Sequence, residues 1–233
     1  MSTELQQIRI GLTNNHPCSY LPNRQERVAV ALDEELHTEH SYQVLLANGF
    51  RRSGNTIYKP HCELCSACDP IRVSIADFVA SKSQKRLLNK ATQLRWEAKP
   101  EMDKDWFDLY SRYICKRHKD GTMYPPQEEE FARFAQTTWL KTRFLHIYDG
   151  SQQLVAIAVT DEMSQCASAF YTFFDPDFPL SLGTLAVLYQ IEFCQKNDKH
   201  WLYLGYQIDE CPAMNYKTRF QRHQRLVNQR WQG

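Results

Sequence analysis

The chain has 233 residues, which is long enough to bury a core as one large domain or as two small domains packed together. Hydrophobic residues make up 42% of it and charged residues 24%, which is the profile of an ordinary soluble globular protein. No run of about 18 apolar residues occurs, and "MSTELQQIRI" holds no apolar run of the secretory kind, so we expect a cytoplasmic protein without a membrane-spanning helix.

The net charge of +1 hides a segregation of charge along the chain. Residues 81–99 hold six Lys/Arg against one acid, and residues 211–233 hold five Lys/Arg and no acid. The rest of the chain holds 17 basic against 26 acidic residues. Two concentrated basic segments suit a polyanion partner, because lysines and arginines that neutralise phosphates release counterions. On charge alone, two solvated helix faces explain the segregation equally well.

The first part of the chain, up to about residue 80, is predicted to be small and rich in turns. The pattern predicts a loop over 14–25, a strand or short helix over 25–36, a helix closed by Gly49, a turn at 53–55 and then a short strand. Further on, Ile71, Val73 and Ile75 alternate as in a half-buried strand.

Three cysteines lie at two-residue gaps in "KPHCELCSACDP", residues 59–70, between these elements. With Cys18, the residues Cys62, Cys65 and Cys68 supply four thiols, a set that as thiolates suits zinc or an iron–sulfur cluster. Eight cysteines without an export signal indicate a reducing compartment, where thiols stay free or bind metal. Packing of thiols around a substrate remains an equal alternative. A redox pair has the least support, since no βαβ pattern surrounds the motif.

Three helices are predicted in the middle of the chain. The first is basic and runs from about residue 82 towards Pro100, because Lys82, Arg86 and Lys90 recur every four residues opposite an apolar stripe. The second covers about 105–118, and the third follows Pro125-Pro126, where three glutamates favour a helix N-terminus.

The C-terminal half predicts a meander of three strands, an apolar helix from Ser181, a strand over 201–208 and a last basic helix. This α+β order is that of N-acetyltransferase-like (GNAT-type) folds, in which two parallel strands splay apart and leave a cleft. We therefore expect a Cys-containing N-terminal domain (1–80), a basic helical connector (81–104) and a GNAT-like C-terminal domain (105–233).

Four blocks of the sequence resemble the aminoacyl-tRNA–protein transferases, in particular their bacterial leucyl-transferring branch. The blocks are "NNHPCSYLP", "YKPHCELCSACDPIRV", "FYTFFDPDFPLSLGTLAVLYQIE" and "LYLGYQIDECPAMNYKTRF". They follow the family order from residue 8 to about 225. The resemblance implies a cytoplasmic enzyme of the N-degron pathway that moves leucine from leucyl-tRNA onto proteins beginning with Asp or Glu and so marks them for degradation. Related eukaryotic enzymes use arginine.

Transfer of an acyl group from an ester to an amine needs a base for the amine and a donor for the developing oxyanion. The sequence holds no Ser/His/Asp set and no G-x-S-x-G elbow, so we expect direct attack in a positioned complex rather than an acyl-enzyme. Asp175 and Asp161 are the expected bases, and Tyr171 and Tyr206 the expected donors. Turn formation and packing are the alternative roles of these residues.

Recognition of an acidic N-terminal residue requires a cation, ideally the planar fork of arginine. We expect Lys217 and Arg219 to supply it, ahead of Arg72, although the same residues are equally suited to tRNA phosphates. Further substrate contacts are expected from Cys18, Tyr20 and Tyr203. Contacts with tRNA are expected from the two basic segments, at Lys82, Arg86, Lys90, Arg222 and Arg225.

Transfer itself is expected to need no cofactor, while the wider family implies a metal or cluster at the N-terminal cysteines, Cys18, Cys62, Cys65 and Cys68. Two other functions remain open. An arginyl donor would need a more polar pocket than leucine, and a non-catalytic, metal-stapled RNA-binding module would bind tRNA without transfer. In each case we expect no DNA and no membrane partner.

Overall fold

Three sheets organise residues 8–233, the part of the chain that the computed structural model describes. The N-terminal part contains a four-stranded antiparallel sheet in the order β1-β4-β6-β5 and a two-stranded ribbon, β2-β3. The strands are β1 (Ile10–Leu12), β2 (His16–Pro17), β3 (Gln25–Glu26), β4 (Val28–Ala31), β5 (Arg51–Ser53) and β6 (Thr56–Pro60).

Between β4 and β5 lie a short 3-10 helix, Glu34–Leu36, and helix α1 (Glu39–Ala47). The Thr38 side chain caps α1 by accepting a hydrogen bond from the Ser41 backbone N–H. The chain leaves the helix through Gly49 at a φ of +88°, a left-handed conformation that glycine adopts without strain. The predicted helix, turn and strand of this region are therefore confirmed.

A second, larger sheet has eight strands in the order β14-β13-β7-β12-β11-β10-β9-β8. Its members are β7 (Asp69–Ser74), β8 (Arg95–Lys99), β9 (Lys141–Tyr148), β10 (Leu154–Glu162), β11 (Cys166–Phe174), β12 (Trp201–Gln207), β13 (His223–Val227) and β14 (Arg230–Gln232). Every pair is antiparallel except β11 and β12, which are parallel. A parallel pair requires a crossover, and the helix between these two strands provides it.

Helices cover both faces of the large sheet. They are α2 (Lys82–Lys90), α3 (Trp106–Arg117), α4 (Glu128–Ala135) and α5 (Leu182–Lys196). Side chains alternate along the strands, so Leu145 packs under α5 while its neighbour Phe144 packs under α3 and α4. The result is a mixed α/β arrangement of three layers with a core on each side of the sheet. No helix within residues 8–233 is long and apolar enough to cross a membrane.

Two predicted elements differ from the structure. Helix α2 ends at Lys90 instead of continuing towards Pro100, and Arg95–Lys99 forms edge strand β8, because Trp96 and Ala98 alternate with charged residues in a period of two. The last basic segment is a 3-10 helix, Asn215–Arg219, followed by the hairpin of β13 and β14 rather than an α-helix. The hairpin turns through Asn228 and Gln229, which both have a positive φ.

The large sheet draws strands from all three regions into which the sequence was divided. Strand β7 comes from the first 80 residues and lies between β12 and β13, while β8 comes from the expected connector and forms one edge. The connector is thus a helix and a strand rather than a purely helical segment.

Candidate active site

The two parallel strands of the large sheet stop pairing part-way along their length. Strands β11 and β12 pair only through Cys166–Ser168 and Trp201–Tyr203, although β11 continues to Phe174 and β12 to Gln207. Beyond that point β11 changes from fully buried to half-buried over residues 169–172, and Gly205 on β12 is also half-buried. We call the gap between residues 169–174 and 204–207 the strand cleft. The splay predicted from the sequence is therefore present.

Gly205 shapes one wall of the strand cleft. Its φ is +87°, and the pairing of β12 with β7 shifts register between Tyr203 and Gly205. A backbone in this region is strained for every residue with a Cβ, so glycine permits the bend that turns β12 away from β11.

Helix α5 begins close to the end of β11, which it follows after a short turn. Phe174 packs 3.3 Å from the position that a Cβ on Gly183 would occupy, so the first turn of α5 lies against the last residue of the strand. The backbone N–H groups at this helix start carry a partial positive charge and suit an anionic or carbonyl oxygen.

The proposed catalytic residues Asp175 and Tyr171 lie along and just beyond β11. The Asp175 carboxylate accepts hydrogen bonds from the Arg112 side chain at 3.2 Å and from the Asp177 backbone N–H at 3.0 Å, and the side chain is 19% exposed. Tyr171 packs among aromatic rings of α3 and α4, and burial raises the pKa of its phenol. The Tyr171 hydroxyl therefore remains a proton donor at every physiological pH.

Asp161 has a structural role that differs from the expected one. Its carboxylate and the Arg52 guanidinium form a two-point ion pair at 2.6 and 2.9 Å, and both side chains are completely buried. Since both oxygens already accept hydrogen bonds and neither reaches solvent, this carboxylate is not placed to take a proton from an incoming amine. Asp175 is the remaining carboxylate candidate.

The two expected tyrosines of β12 already make hydrogen bonds within the protein. Tyr206 is buried and donates its hydroxyl proton to the Gly49 carbonyl at 2.9 Å. The Tyr203 hydroxyl accepts a hydrogen bond from Arg72 at 3.3 Å. Burial raises the pKa of both phenols, and we interpret both residues as parts of the cleft wall.

Three basic residues lie beside β12, and none of them forms an ion pair with a carboxylate of residues 8–233. Arg72 lies between the rings of Trp201 and Trp231, at 3.7 and 4.1 Å, and binds the Gln224 amide oxygen. Lys217 is 5% exposed and donates to the Tyr206 carbonyl at 2.6 Å. Arg51 is 8% exposed and donates to the Ala169 carbonyl at 3.1 Å.

Arg51 was not among the residues expected from the sequence. Its sequence feature is the pair of adjacent arginines, Arg51 and Arg52, in "GFRRSGN", next to a predicted turn. Alternation along β5 sends Arg52 towards Asp161 and Arg51 towards the strand cleft. Neither destination is visible without knowing where β10 and β11 lie.

The four N-terminal cysteines come together beside the end of β12. Cys18, Cys65 and Cys68 pack against a small core of Leu21, Ile208 and Cys211, while Tyr20 stays 41% exposed. Burial and the neighbouring thiols raise the pKa of Cys68 to about 12, which keeps it a neutral thiol. As arranged within residues 8–233, no three His, Cys, Asp or Glu side chains form a group that could hold a metal ion. The arrangement of these cysteines therefore fits the packing of free thiols.

The two basic segments meet on one surface. The Gln84 side chain of α2 donates to the Arg219 carbonyl at 3.3 Å, which brings α2 against the 3-10 helix. This surface, which we call the basic surface, consists of the exposed side chains of Lys82, Lys85, Arg86, Arg219 and Arg222.

The remaining members of the two basic segments lie elsewhere or are already paired. Lys90 is exposed at the far end of α2. Arg225 is paired with Asp69 and Asp209 at 2.7 and 2.9 Å and so is not free for phosphate in this arrangement.

Comparisons with known proteins agree with this architecture. Residues 16–86 match the family model described as "Arginine-tRNA-protein transferase, N terminus", and residues 105–227 match "Arginine-tRNA-protein transferase, C terminus". An "Aspartate/glutamate leucyltransferase" of Vibrio parahaemolyticus is 79% identical over 100% of both chains, and one of Pseudoalteromonas atlantica is 44% identical over 97% of both. A solved structure, L-PGS from Bacillus licheniformis, is 10% identical with a TM-score of 0.45 over 60% of this chain and 47% of that one, which is too distant to carry an argument.

Both halves of the chain thus match consecutive parts of one family, and full-length relatives share up to 79% of its residues. The chain belongs to the arginine-tRNA-protein transferase family, among the members named aspartate/glutamate leucyltransferases.

Proposed function

We propose that this chain transfers leucine from leucyl-tRNA to the N-terminal Asp or Glu of acceptor proteins and so prepares them for degradation. The observation that carries the proposal is the strand cleft, an opening between parallel strands with a helix start at its end, in a chain whose relatives are leucyltransferases by name. The same cleft supports a GNAT-type fold for the C-terminal region.

The reaction joins the acceptor's α-amine to the leucyl carbonyl carbon. A C–N bond forms, the ester C–O bond to the terminal ribose breaks, the amine loses a proton and the ribose oxygen gains one. We propose that Asp175, a partly exposed carboxylate just beyond β11, takes the amine proton once the acceptor displaces one of its present hydrogen bonds. The Tyr171 hydroxyl and the N–H groups at the start of α5 are proposed to stabilise the developing oxyanion.

Transfer of labelled leucine from charged tRNA to peptides beginning with Asp, Glu, Arg or Ala tests this function directly. We expect label on the Asp and Glu peptides only. Labelled arginine in a parallel reaction would reassign the donor. Tight tRNA binding with no transfer from either donor would leave only the RNA-binding module.

The basic surface is proposed to hold the tRNA. Replacing Lys82 and Arg86 together by glutamine should weaken tRNA binding and reduce the slope of log K against log salt by about 1–2, since each phosphate contact contributes about 0.7–0.9. Fluorescence titration at several salt concentrations measures this slope. Lys196→Gln, on the exposed side of α5, is the matched control, and an unchanged slope in the double variant would place the tRNA elsewhere.

Transfer is proposed to need no cofactor. Protein purified without oxygen, then treated with a metal chelator, should keep its full rate of leucine transfer, while metal analysis and absorbance spectra report on any zinc or cluster at the four cysteines. A loss of transfer that added zinc or iron restores would contradict this expectation and assign the cysteines a metal.

A further inference from the structure

Arg51 is a buried cation whose partner is missing. Its Nη2 donates to the Ala169 carbonyl at 3.1 Å, while its Nη1 is fully buried without a hydrogen-bond partner. Within residues 8–233 no carboxylate forms an ion pair with it, although the adjacent Arg52 has one in Asp161. A buried charge without a partner is costly, so a protein that keeps one gains from an anion that arrives later.

The position of Arg51 coincides with the opening of the strand cleft. Ala169 is the first residue of β11 beyond the paired stretch. The Arg51 guanidinium therefore donates to a carbonyl that would otherwise accept a hydrogen bond from β12. On the opposite wall, the position of a Cβ on Gly205 lies 3.7 Å from Nη2. Arg51 therefore lies at the closed end of the cleft, in reach of both strands.

The surroundings of Arg51 are aromatic and include one further basic side chain. Its charge acts on Tyr42, Tyr58, Tyr203 and Tyr206, for which burial raises the pKa and the guanidinium opposes that rise. Lys217 is also close enough to feel its charge. The combination of a planar charged donor, a neighbouring amine and phenol rings suits a small carboxylate better than a hydrated phosphate chain.

We propose that Arg51 binds the side-chain carboxylate of the acceptor's N-terminal Asp or Glu and so determines acceptor specificity. This inference rests on the proposed function. An N-terminal residue that enters the strand cleft meets the unpaired edges of β11 and β12, which can bind an extended backbone. The tRNA, in contrast, meets the exposed lysines and arginines of the basic surface.

The test compares Arg51→Met and Arg51→Lys with wild type on fluorescent peptides that begin with Asp or with its uncharged isostere Asn. We expect Arg51→Met to raise the dissociation constant of the Asp peptide about 100-fold, the size typical of a lost buried charge pair, and to leave the Asn peptide within about 3-fold. Arg51→Lys should recover part of the loss. Arg95→Met, an exposed arginine on the opposite edge strand β8, should change neither.

Three outcomes separate this inference from its rivals. Equal weakening of both peptides would make Arg51 a merely structural residue, and a selective loss of leucyl-tRNA affinity would make it a phosphate ligand; either overturns the inference. Suppose that the wild-type protein binds Asp peptides and transfers leucine to them while Arg51→Met still binds the Asp peptide more tightly than the Asn peptide. In that case the inference also fails, and the proposed function stands. If wild type transfers leucine to no peptide, the proposed function itself fails.

Thermal unfolding of the same variants tests for a structural role of Arg51, since such a role would change the melting temperature. Because its charge has no carboxylate partner in the described chain, Arg51→Met should change the melting temperature little, by about 2 °C or less in either direction, while it abolishes selection for Asp. Strong destabilisation by both Arg51→Met and Arg51→Lys would instead indicate a role in folding.

Discussion

Replacing Asp161 by asparagine is expected to lower the free energy of unfolding by about 3–5 kcal/mol, because it leaves the fully buried guanidinium of Arg52 without a counter-charge. Arg52 holds more than this one carboxylate. It donates to the Ala135 carbonyl at 2.8 Å, at the C-terminus of α4, and lies 4.0 Å from the Phe170 ring. The ion pair thus links β5 of the small sheet with the large sheet and with α4, so its loss should loosen all three.

Urea unfolding of Asp161→Asn, of Arg52→Met and of the double variant Arg52→Met/Asp161→Leu measures this effect. The double variant should recover most of the stability that each single variant loses, since well-packed apolar residues often replace a buried pair without cost. Lys116→Gln is the control: this lysine pairs with Asp177 at the surface, where the two side chains are 53% and 68% exposed, and its loss should cost less than about 1 kcal/mol. Similar small losses for Asp161→Asn would show that water reaches the pair.

The order of elements was largely predictable because it depends on local patterns. The alternation of Ile71, Val73 and Ile75 predicted β7, and the apolar run of β10 predicted a buried strand. Strands β11 and β12 on either side of the apolar helix α5 predicted the parallel pair and its crossover. The two wrong predictions are local as well. The sequence pattern extends the basic helix over Trp96 and Ala98 although their period is two, and the Asn228-Gln229 turn lacks the glycine that usually signals a hairpin.

The candidate site was less predictable because it depends on contacts between distant residues. Asp161 and Tyr206 have the chemistry of catalytic groups, yet one is neutralised by Arg52, 109 positions away in sequence, and the other donates to Gly49, 157 positions away. No sequence motif surrounds Arg51. It stands out as a candidate binding residue only because the described structure gives it no counter-charge. Composition still located the basic surface, since both basic segments meet there.

Lys217 should make the stability of this protein depend on pH in a way that a methionine at the same position does not. Burial, with a smaller contribution from Arg51, lowers the pKa of Lys217 from 10.5 to about 7, although its Nζ donates to the Tyr206 carbonyl. Between about pH 7 and pH 10.5 the unfolded chain therefore holds a proton at Lys217 that the folded chain does not. Since stability rises with pH wherever the unfolded state binds more protons, wild type should gain stability across this window.

The gain should be about 1.4 kcal/mol per pH unit when measured against Lys217→Met, because other titrating groups are common to both proteins and cancel in the difference. Below about pH 7 both states hold the proton, so the difference between the two proteins should be constant. Urea unfolding of the pair at several pH values measures it. In the Arg51→Met background the stability difference should begin to rise at a higher pH, because one neighbouring positive charge is gone. A stability difference that does not change with pH in either background would show that Lys217 keeps its proton in the folded protein.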